Sequence, residues 1–243
     1  FRLNDILNNG TGAPLVPYLD WILFKDYDFD ILTINIGGIS NITYIPSNGN
    51  RNMVIGFDMG PGMCIIDLFV RMYWNKSFDN SGEISSRGNV NSNLLTKLLE
   101  NSYISSKPPK STSVEEFDIK YLNNIFNNYK SINKYDFLRT LVNFTACTIA
   151  KNIDLFIQTK YKDENMKIIL SGGGVKNKIL MEDLNAMLDA NELMKINCKG
   201  INIDNKESFL MCLLGFTAFK NIPNNMPSVT GADKEVVCGK LYE

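Results

Sequence analysis

The order of strand and helix patterns constrains the fold of this 243-residue chain most strongly. Three β-type patterns follow one another closely, at residues 31–36, 39–45 and 53–57. The connections between them are too short for a helical crossover, and each contains glycine, which suits a tight turn. This spacing predicts an antiparallel meander of three strands.

The second half of the chain alternates between helix and strand. Apolar residues follow a helical period at 135–160, 176–188 and 206–220, and short apolar strands at 167–171 and 193–197 lie between them. Such alternation predicts parallel strands with right-handed crossovers. A meander followed by βα units is typical of a ribonuclease H-like fold. We therefore expect an α/β protein in which all five strands share one mixed sheet flanked by helices.

Three further regions complete the chain. Residues 1–20 are punctuated by glycine and proline and are predicted to be irregular. Residues 63–74 follow a helical pattern. Residues 75–134 are rich in Asn, Ser, Lys and Pro, and we interpret them as an insertion of loops and short helices, with local disorder as the alternative.

Composition narrows the chemistry. The chain contains no histidine, which excludes Ser-His-Asp and Cys-His catalysis and histidine metal sites within it. A formal charge of −1 produces no strong electrostatic field around the protein, so we expect no nucleic-acid partner. No apolar run reaches the ~18 residues of a membrane span, so we expect no membrane partner either. Five scattered cysteines without a CxxC pair indicate reduced thiols, as in a cytoplasmic protein.

Two glycine-rich turns are candidate anion sites. Residues 35–41 read Asn-Ile-Gly-Gly-Ile-Ser-Asn, and residues 171–174 read Ser-Gly-Gly-Gly. Glycine lets backbone N–H groups approach a phosphate closely, and the second turn precedes a helix N-terminus. An ordinary hairpin and a flexible loop are the alternatives. The second turn is neither GxGxxG nor GxxxxGK[ST], so it predicts neither a Rossmann fold nor a P-loop.

Asp58 is the best candidate for a general base. It lies in residues 56–62, Gly-Phe-Asp-Met-Gly-Pro-Gly, which we predict to end a strand and enter a helix. Ligands of α/β proteins bind at the carboxyl ends of strands, and without histidine acid–base catalysis must use carboxylates, Lys, Tyr or Cys. The alternative is an aspartate that accepts hydrogen bonds from the amides of a tight turn.

Two other segments leave a binding and a structural interpretation open. Residues 107–112, Lys-Pro-Pro-Lys-Ser-Thr, could grip a polar or anionic substrate or form a solvated loop. Glu207 begins the last apolar helix, where a carboxylate commonly complements the helix dipole.

Seven blocks together resemble the anhydro-N-acetylmuramic acid kinases, members of the superfamily of sugar kinases, Hsp70 and actin. In order, the blocks are residues 1–2 with 12–17, 35–41, 56–62, 108–112, 172–177, Glu207, and 225–232. They extend over essentially the whole chain, and seven ordered blocks are far more specific than any single block.

The resemblance implies an enzyme of peptidoglycan recycling. ATP phosphorylates O6 of an amino sugar while water opens its 1,6-anhydro bridge, and the product is N-acetylmuramic acid 6-phosphate. It implies ATP and Mg²⁺ as cofactors and Asp58 as the general base. The implied nucleotide contacts are Gly37, Gly38, Gly60, Gly172, Gly173, Gly174 and Asn177, and the implied sugar contacts are Lys110, Ser111, Thr112 and Glu207.

The resemblance also has departures. The family usually has Asn at Met63, Gln at Thr11 and Gly-Arg at residues 113–114, where this chain has Ser-Val. No segment matches the family's first phosphate-binding lobe. We therefore interpret residues 1–30 as a lobe junction and residues 31–243 as the C-terminal lobe, with the first lobe as a partner in cis or in trans. A non-catalytic lobe within a larger assembly is the alternative, and a homodimer is left open.

Overall fold

The computed structural model describes residues 1–158, 166–188 and 193–240. Its centre is a five-stranded sheet with the strand order β3-β2-β1-β4-β5. The strands are β1 (Ile31–Ile36), β2 (Ile39–Ile45), β3 (Ile55–Pro61), β4 (Lys167–Ser171) and β5 (Leu193–Lys195). β1, β2 and β3 pair antiparallel, whereas β4 pairs parallel with β1 and with β5. This confirms the meander, the single mixed sheet and the ribonuclease H-like fold.

Helices cover the sheet. They are α1 (Leu3–Ile6), α2 (Val16–Phe24), α3 (Cys64–Trp74), α4 (Ser92–Leu99), α5 (Ile119–Asn128), α6 (Lys134–Ile153), α7 (Lys178–Met187), α8 (Lys206–Phe219) and α9 (Pro227–Thr230). The predicted insertion consists of α4, α5 and short turns, and α5 packs against α3 while α4 packs against α6. Within the described residues, no helix is long and apolar enough to cross a membrane.

Each face of the sheet has its own apolar core. Leu32 and Ile34 of β1 belong to one core, together with α3 and α6. Ile31 and Ile45 belong to the other, together with α2 and α8. Alternate residues of a strand point to opposite faces, so a strand covered on both sides is apolar along its length. Each fully buried aliphatic side chain contributes about 1.5–3 kcal/mol to folding.

The prediction that residues 1–20 are irregular was wrong, because they contain α1 and most of α2. Pro17 lies in the first turn of α2, where its missing N–H has no helical partner to lose. Leu19 and Leu23 of α2 share the second core with Ile31. The segment is thus packed on the sheet, and the domain border at residue 30 stays a prediction.

Several element ends also differ from the prediction. β3 begins at Ile55 and continues to Pro61, because it pairs with β2 past a bulge between Ser40 and Asn41. α6 ends at Ile153 and gives way to a π-helical turn, and residues 159–160 of the predicted helix lie outside the described residues. β5 ends at Lys195, and residues 197–198 pair with residues 201–202 in a separate ribbon.

Candidate active site

A row of polar residues crosses the sheet at the end where β1 and β4 finish. Asn35 pairs with Asn41 on one side and with Ser171 on the other, and Asn41 in turn pairs with Asp58. The Ser171 hydroxyl donates to Asn35 Oδ1 at 3.2 Å. Residues paired across a sheet point to the same face, so four strands contribute one polar side chain each to this row.

Asp20 supports the row from α2. Its Oδ2 atom accepts hydrogen bonds from the hydroxyls of Thr33, at 2.6 Å, and Thr43, at 3.0 Å. Its Oδ1 atom lies 2.7 Å from the ammonium of Lys206, which also donates to Ser171. Sequence reasoning missed this group. The one sequence feature that pointed to the Asp20 cluster was a threonine, Thr33 or Thr43, within each of two neighbouring apolar strands.

Asp58 lies within β3, not at its end as predicted, and its two carboxylate oxygens differ. Oδ2 accepts the hydroxyl of Ser111 at 2.8 Å and the main-chain N–H of Thr112 at 3.0 Å. Among the described residues no donor reaches Oδ1. Burial raises the pKa of Asp58, and the hydrogen bonds from Ser111 and Thr112 oppose that rise. One oxygen is held and the other is left to accept a proton.

The side chain of Lys110 lies inside the protein and not at its surface. Its ammonium is buried and donates to Tyr103 O at 3.2 Å, Ile104 O at 3.0 Å and Asn152 Oδ1 at 2.8 Å. All three ammonium donors are therefore used inside the protein. The geometry gives no support to the predicted contact of Lys110 with the sugar.

The turn between β1 and β2 caps α3. The carbonyls of Gly37 and Gly38 accept the N–H groups of Gly62, Met63 and Cys64 at 2.8–3.2 Å. Met63 is the N-cap of α3 and makes no side-chain cap bond, and the turn's carbonyls accept the N–H groups just before the helix and at its first residue.

The glycine turn after β4 is set by its contacts with β1. Gly172 has φ +87°, and a Cβ there would lie 2.5 Å from the Ile36 carbonyl oxygen. A Cβ at Gly174 would overlap the Ile36 side chain, whereas at Gly173 it would meet no atom within 4 Å. Packing requires the first and third glycines, and the second faces open space.

Both turns line one cavity of about 450 Å³. Its lining includes Gly37, Gly38, Gly173 and Asn177, as well as Asp67 of α3. This volume lies within the usual range for small-molecule sites. The lining includes four of the seven residues predicted to bind a nucleotide.

Two polar atoms at this cavity lack partners among the described residues. The Nδ2 of Asn177 has no acceptor, although its Oδ1 caps α7 by accepting the Leu180 N–H at 3.1 Å. The Oδ1 of Asp67 has no donor, and burial raises the Asp67 pKa to about 6, with nearby Asp79 adding to the rise and Arg71 opposing it. Buried polar atoms usually have partners, so these two atoms are exceptions beside the cavity.

Gly60 and Glu207 lie apart from that cavity. Gly60 is buried within β3, and its carbonyl accepts the Ser40 hydroxyl at 3.1 Å. It is absent from the described lining. Glu207 is exposed in the first turn of α8, where it lines a second cavity of about 210 Å³ with Asn35 and Gly37. Glu207 therefore lies near Asn35, on the β1 and β4 side of the polar row.

Comparisons with known proteins point to one family. A family model described as "Anhydro-N-acetylmuramic acid kinase" matches residues 1–243. The chain is 38% identical over 241 residues to the anhydro-N-acetylmuramic acid kinase of Francisella tularensis subsp. novicida. It is 37% identical over 241 residues to that of Clostridioides difficile. Each alignment covers 99% of this chain and 62% of the relative, so the chain spans about 62% of the relatives' length.

Solved structures with a similar arrangement are much more distant. The activator of the 2-hydroxyisocaproyl-CoA dehydratase from Clostridium difficile, with bound ADPNP, is 11% identical with a TM-score of 0.41, covering 81% of this chain and 67% of that chain. The ethanolamine utilization protein EutJ from Carboxydothermus hydrogenoformans is 13% identical with a TM-score of 0.38, covering 81% of this chain and 53% of that chain.

Proposed function

Because this chain belongs to the anhydro-N-acetylmuramic acid kinase family, we propose that the protein carrying it uses ATP to phosphorylate 1,6-anhydro-N-acetylmuramic acid. Water adds to C1 of the sugar, the bond between C1 and O6 breaks, and O6 takes the γ-phosphoryl group of ATP. The products are N-acetylmuramic acid 6-phosphate and ADP. The family match supports this kinase and gives no support to a non-catalytic role.

The geometry of Asp58 is the observation that carries the proposal. Ser111 and Thr112 hold Oδ2, so Oδ1 is the atom that receives the proton of the attacking water. Burial raises the pKa of this carboxyl, which makes it a stronger base than an exposed aspartate. Ser111 and Thr112 therefore orient the base, and further contacts of theirs with the sugar stay part of the proposal.

The cavity between the glycine turns fits the nucleotide. We assign the phosphates to Gly37 and Gly38 and the nucleoside to the turn at residues 172–174. A Cβ at Gly37 would come no closer than 3.5 Å to any atom, so neither packing nor backbone strain requires glycine there. A phosphate bound at this turn would require glycine, because a side chain would keep the phosphate away from the backbone N–H groups. The unpartnered Nδ2 of Asn177 adds a donor for the nucleoside.

Mg²⁺ accompanies ATP in the proposed reaction, but the protein side of its site is sparse. Among the described residues no group of three or more Asp, Glu, Cys or His side chains could hold a metal ion. Mg²⁺ in kinases takes most of its ligands from phosphate oxygens and water. Asp67 is the one described carboxyl at the cavity with an unpartnered oxygen.

The test compares the chain alone with the chain joined to the part of the Francisella relative that it does not cover. ADP and sugar phosphate are measured with ATP, Mg²⁺ and the anhydro sugar, and N-acetylmuramic acid, whose ring is already open, is the control substrate. We expect turnover of the anhydro sugar by the joined protein. A joined protein that binds ATP but phosphorylates only the control substrate, or neither sugar, contradicts the proposal.

A further inference from the structure

The ammonium of Lys110 is held in a closed cage beneath Asp58. Lys110 is only 7% exposed. The rings of Phe57, Tyr103 and Phe156 surround its Nζ, with centroids 5.4, 4.9 and 5.2 Å away. Cation–π attraction and the three hydrogen bonds to Tyr103, Ile104 and Asn152 together satisfy the charge.

We infer that Lys110 is a positioning residue, whose ammonium fastens the loop of residues 107–112 so that Ser111 and Thr112 hold Asp58 Oδ2. Its role in catalysis rests on the proposed function. Its role in ordering the carboxylate does not, and can be tested without a substrate.

The contacts of this loop single out the ammonium. Within the described part of the chain, residues 107–112 make hydrogen bonds of two kinds: those of the Lys110 ammonium, and those exchanged with Asp58. The Asp58 N–H donates to Lys110 O at 3.3 Å, and the next two residues donate to Oδ2. Without the ammonium, the loop's hydrogen bonds would therefore all be with Asp58, the residue that it has to orient.

The charge of Lys110 acts on Asp58 as well. Burial lowers the pKa of Lys110 to about 8, and Asp58 opposes that fall, so the side chain stays mostly protonated at pH 7. The positive charges of Arg2 and Lys110 both favour the ionised form of Asp58, so removal of the Lys110 charge removes one of the two. A neutral side chain that merely filled the cage would have neither effect.

The substrate-free test uses Lys110→Met, which keeps the length and removes the charge and donors, and Lys110→Gln, which keeps amide donors without charge. Lys107→Met is the matched control, because Lys107 is an exposed lysine of the same loop. Amide exchange of Thr112 and the titration of the Asp58 carboxyl are followed by NMR in the chain.

Lys110→Met should lower the exchange protection of Thr112 by about tenfold or more and raise the pKa of Asp58. Lys110→Gln should restore part of the protection while the pKa stays raised, and Lys107→Met should change neither. Unchanged protection and titration in Lys110→Met overturn the inference. Failure of both variants to fold also overturns it, because the residue would then serve the fold and not the loop.

The kinetic test uses the joined protein. In Lys110→Met the acid limb of the kcat/KM profile should move to higher pH, whereas KM for ATP should stay unchanged. A loss of thermal stability with an unmoved acid limb would indicate a structural role only. If the wild-type protein shows no turnover, the proposed function fails, while the exchange and titration results still decide the role of Lys110.

Discussion

Lys206 and Asp20 form a buried ion pair, with the Lys206 Nζ 2.7 Å from the Asp20 Oδ1, that joins α8 to α2. Both side chains are almost fully buried, and the Asp20 Oδ2 also accepts two threonine hydroxyls from the sheet. Removing one partner of such a pair leaves a buried charge without compensation, which costs more than replacing both.

We therefore expect Lys206→Met to lower the free energy of unfolding by about 3–5 kcal/mol. The double variant Asp20→Asn with Lys206→Met should recover much of that loss. Urea denaturation measures both, with Lys220→Met at the exposed end of α8 as the control. Losses in the double variant that simply add would show that the two residues act independently.

Asp58→Asn separates catalysis from structure. Asn keeps the size of the side chain and an oxygen that can accept from Ser111, but it cannot take a proton. The joined protein should lose about 10²–10⁴-fold in kcat with little change in Tm. An Asn variant that turns over normally removes Asp58 as the base. A fall in Tm in proportion to activity would make Asp58 structural.

Gly172→Ala and Gly173→Ala form a matched pair. At Gly172 the added methyl would meet the backbone of Ile36, and φ +87° is strained for alanine, so we expect a clear loss of stability. At Gly173 the methyl meets no protein atom, so Tm should stay unchanged while ATP affinity falls. A Gly173 variant, including a bulkier one, that binds ATP normally would contradict the assignment of the nucleoside to this turn.

Asp67→Asn should stabilise the free protein at neutral pH. The folded-state pKa of about 6 exceeds the ordinary 3.8, so the folded state binds more protons between these values and its stability falls as pH rises through them. At pH 7 the variant should gain about 1–2 kcal/mol, less than the full shift implies because the carboxyl is partly solvated. The gain should vanish below about pH 4.

Thermal melts of Asp67→Asn across that pH range measure the effect. The exposed Asp26→Asn is the control and should leave the melts unchanged. A gain that does not depend on pH would show that charge is not its cause. A variant that is more stable yet binds ATP more weakly would indicate that Asp67 is kept for the ligand.

The order of elements could be predicted from the sequence because it depends on local signals. Turns of a few residues force β1, β2 and β3 to run antiparallel, and the alternation of strand and helix sets β4 and β5 parallel. The end of β3 could not be predicted from the sequence, because Gly60 and Pro61 indicate a loop unless the bulge in β2 is known.

The candidate site also contains some residues that local sequence motifs indicate and others that only the tertiary structure brings together. Asp58 and the glycine turns could be proposed as site residues from the sequence because each motif is contiguous in the chain. The role of Lys110 could not be found, since its ammonium contacts Asn152, 42 residues away in the chain, and three aromatic rings that only the tertiary structure brings together. The Asp20–Lys206 pair was missed for the same reason, because its partners come from opposite ends of the chain.

Because the turn between β1 and β2 caps α3, its carbonyl groups lie on one side of the turn and its N–H groups on the other. In a trans peptide the C=O and N–H groups point in opposite directions. Because the Gly37 and Gly38 carbonyls point at the start of α3, the N–H groups of Gly38 and Ile39 point away from it. The backbone of the turn therefore presents a partial positive charge of its own to an anion, in addition to that of Lys176, which lines the same cavity. Backbone amides do not titrate, so the attraction that this turn offers a phosphate should persist across pH, whatever the state of the neighbouring carboxyls.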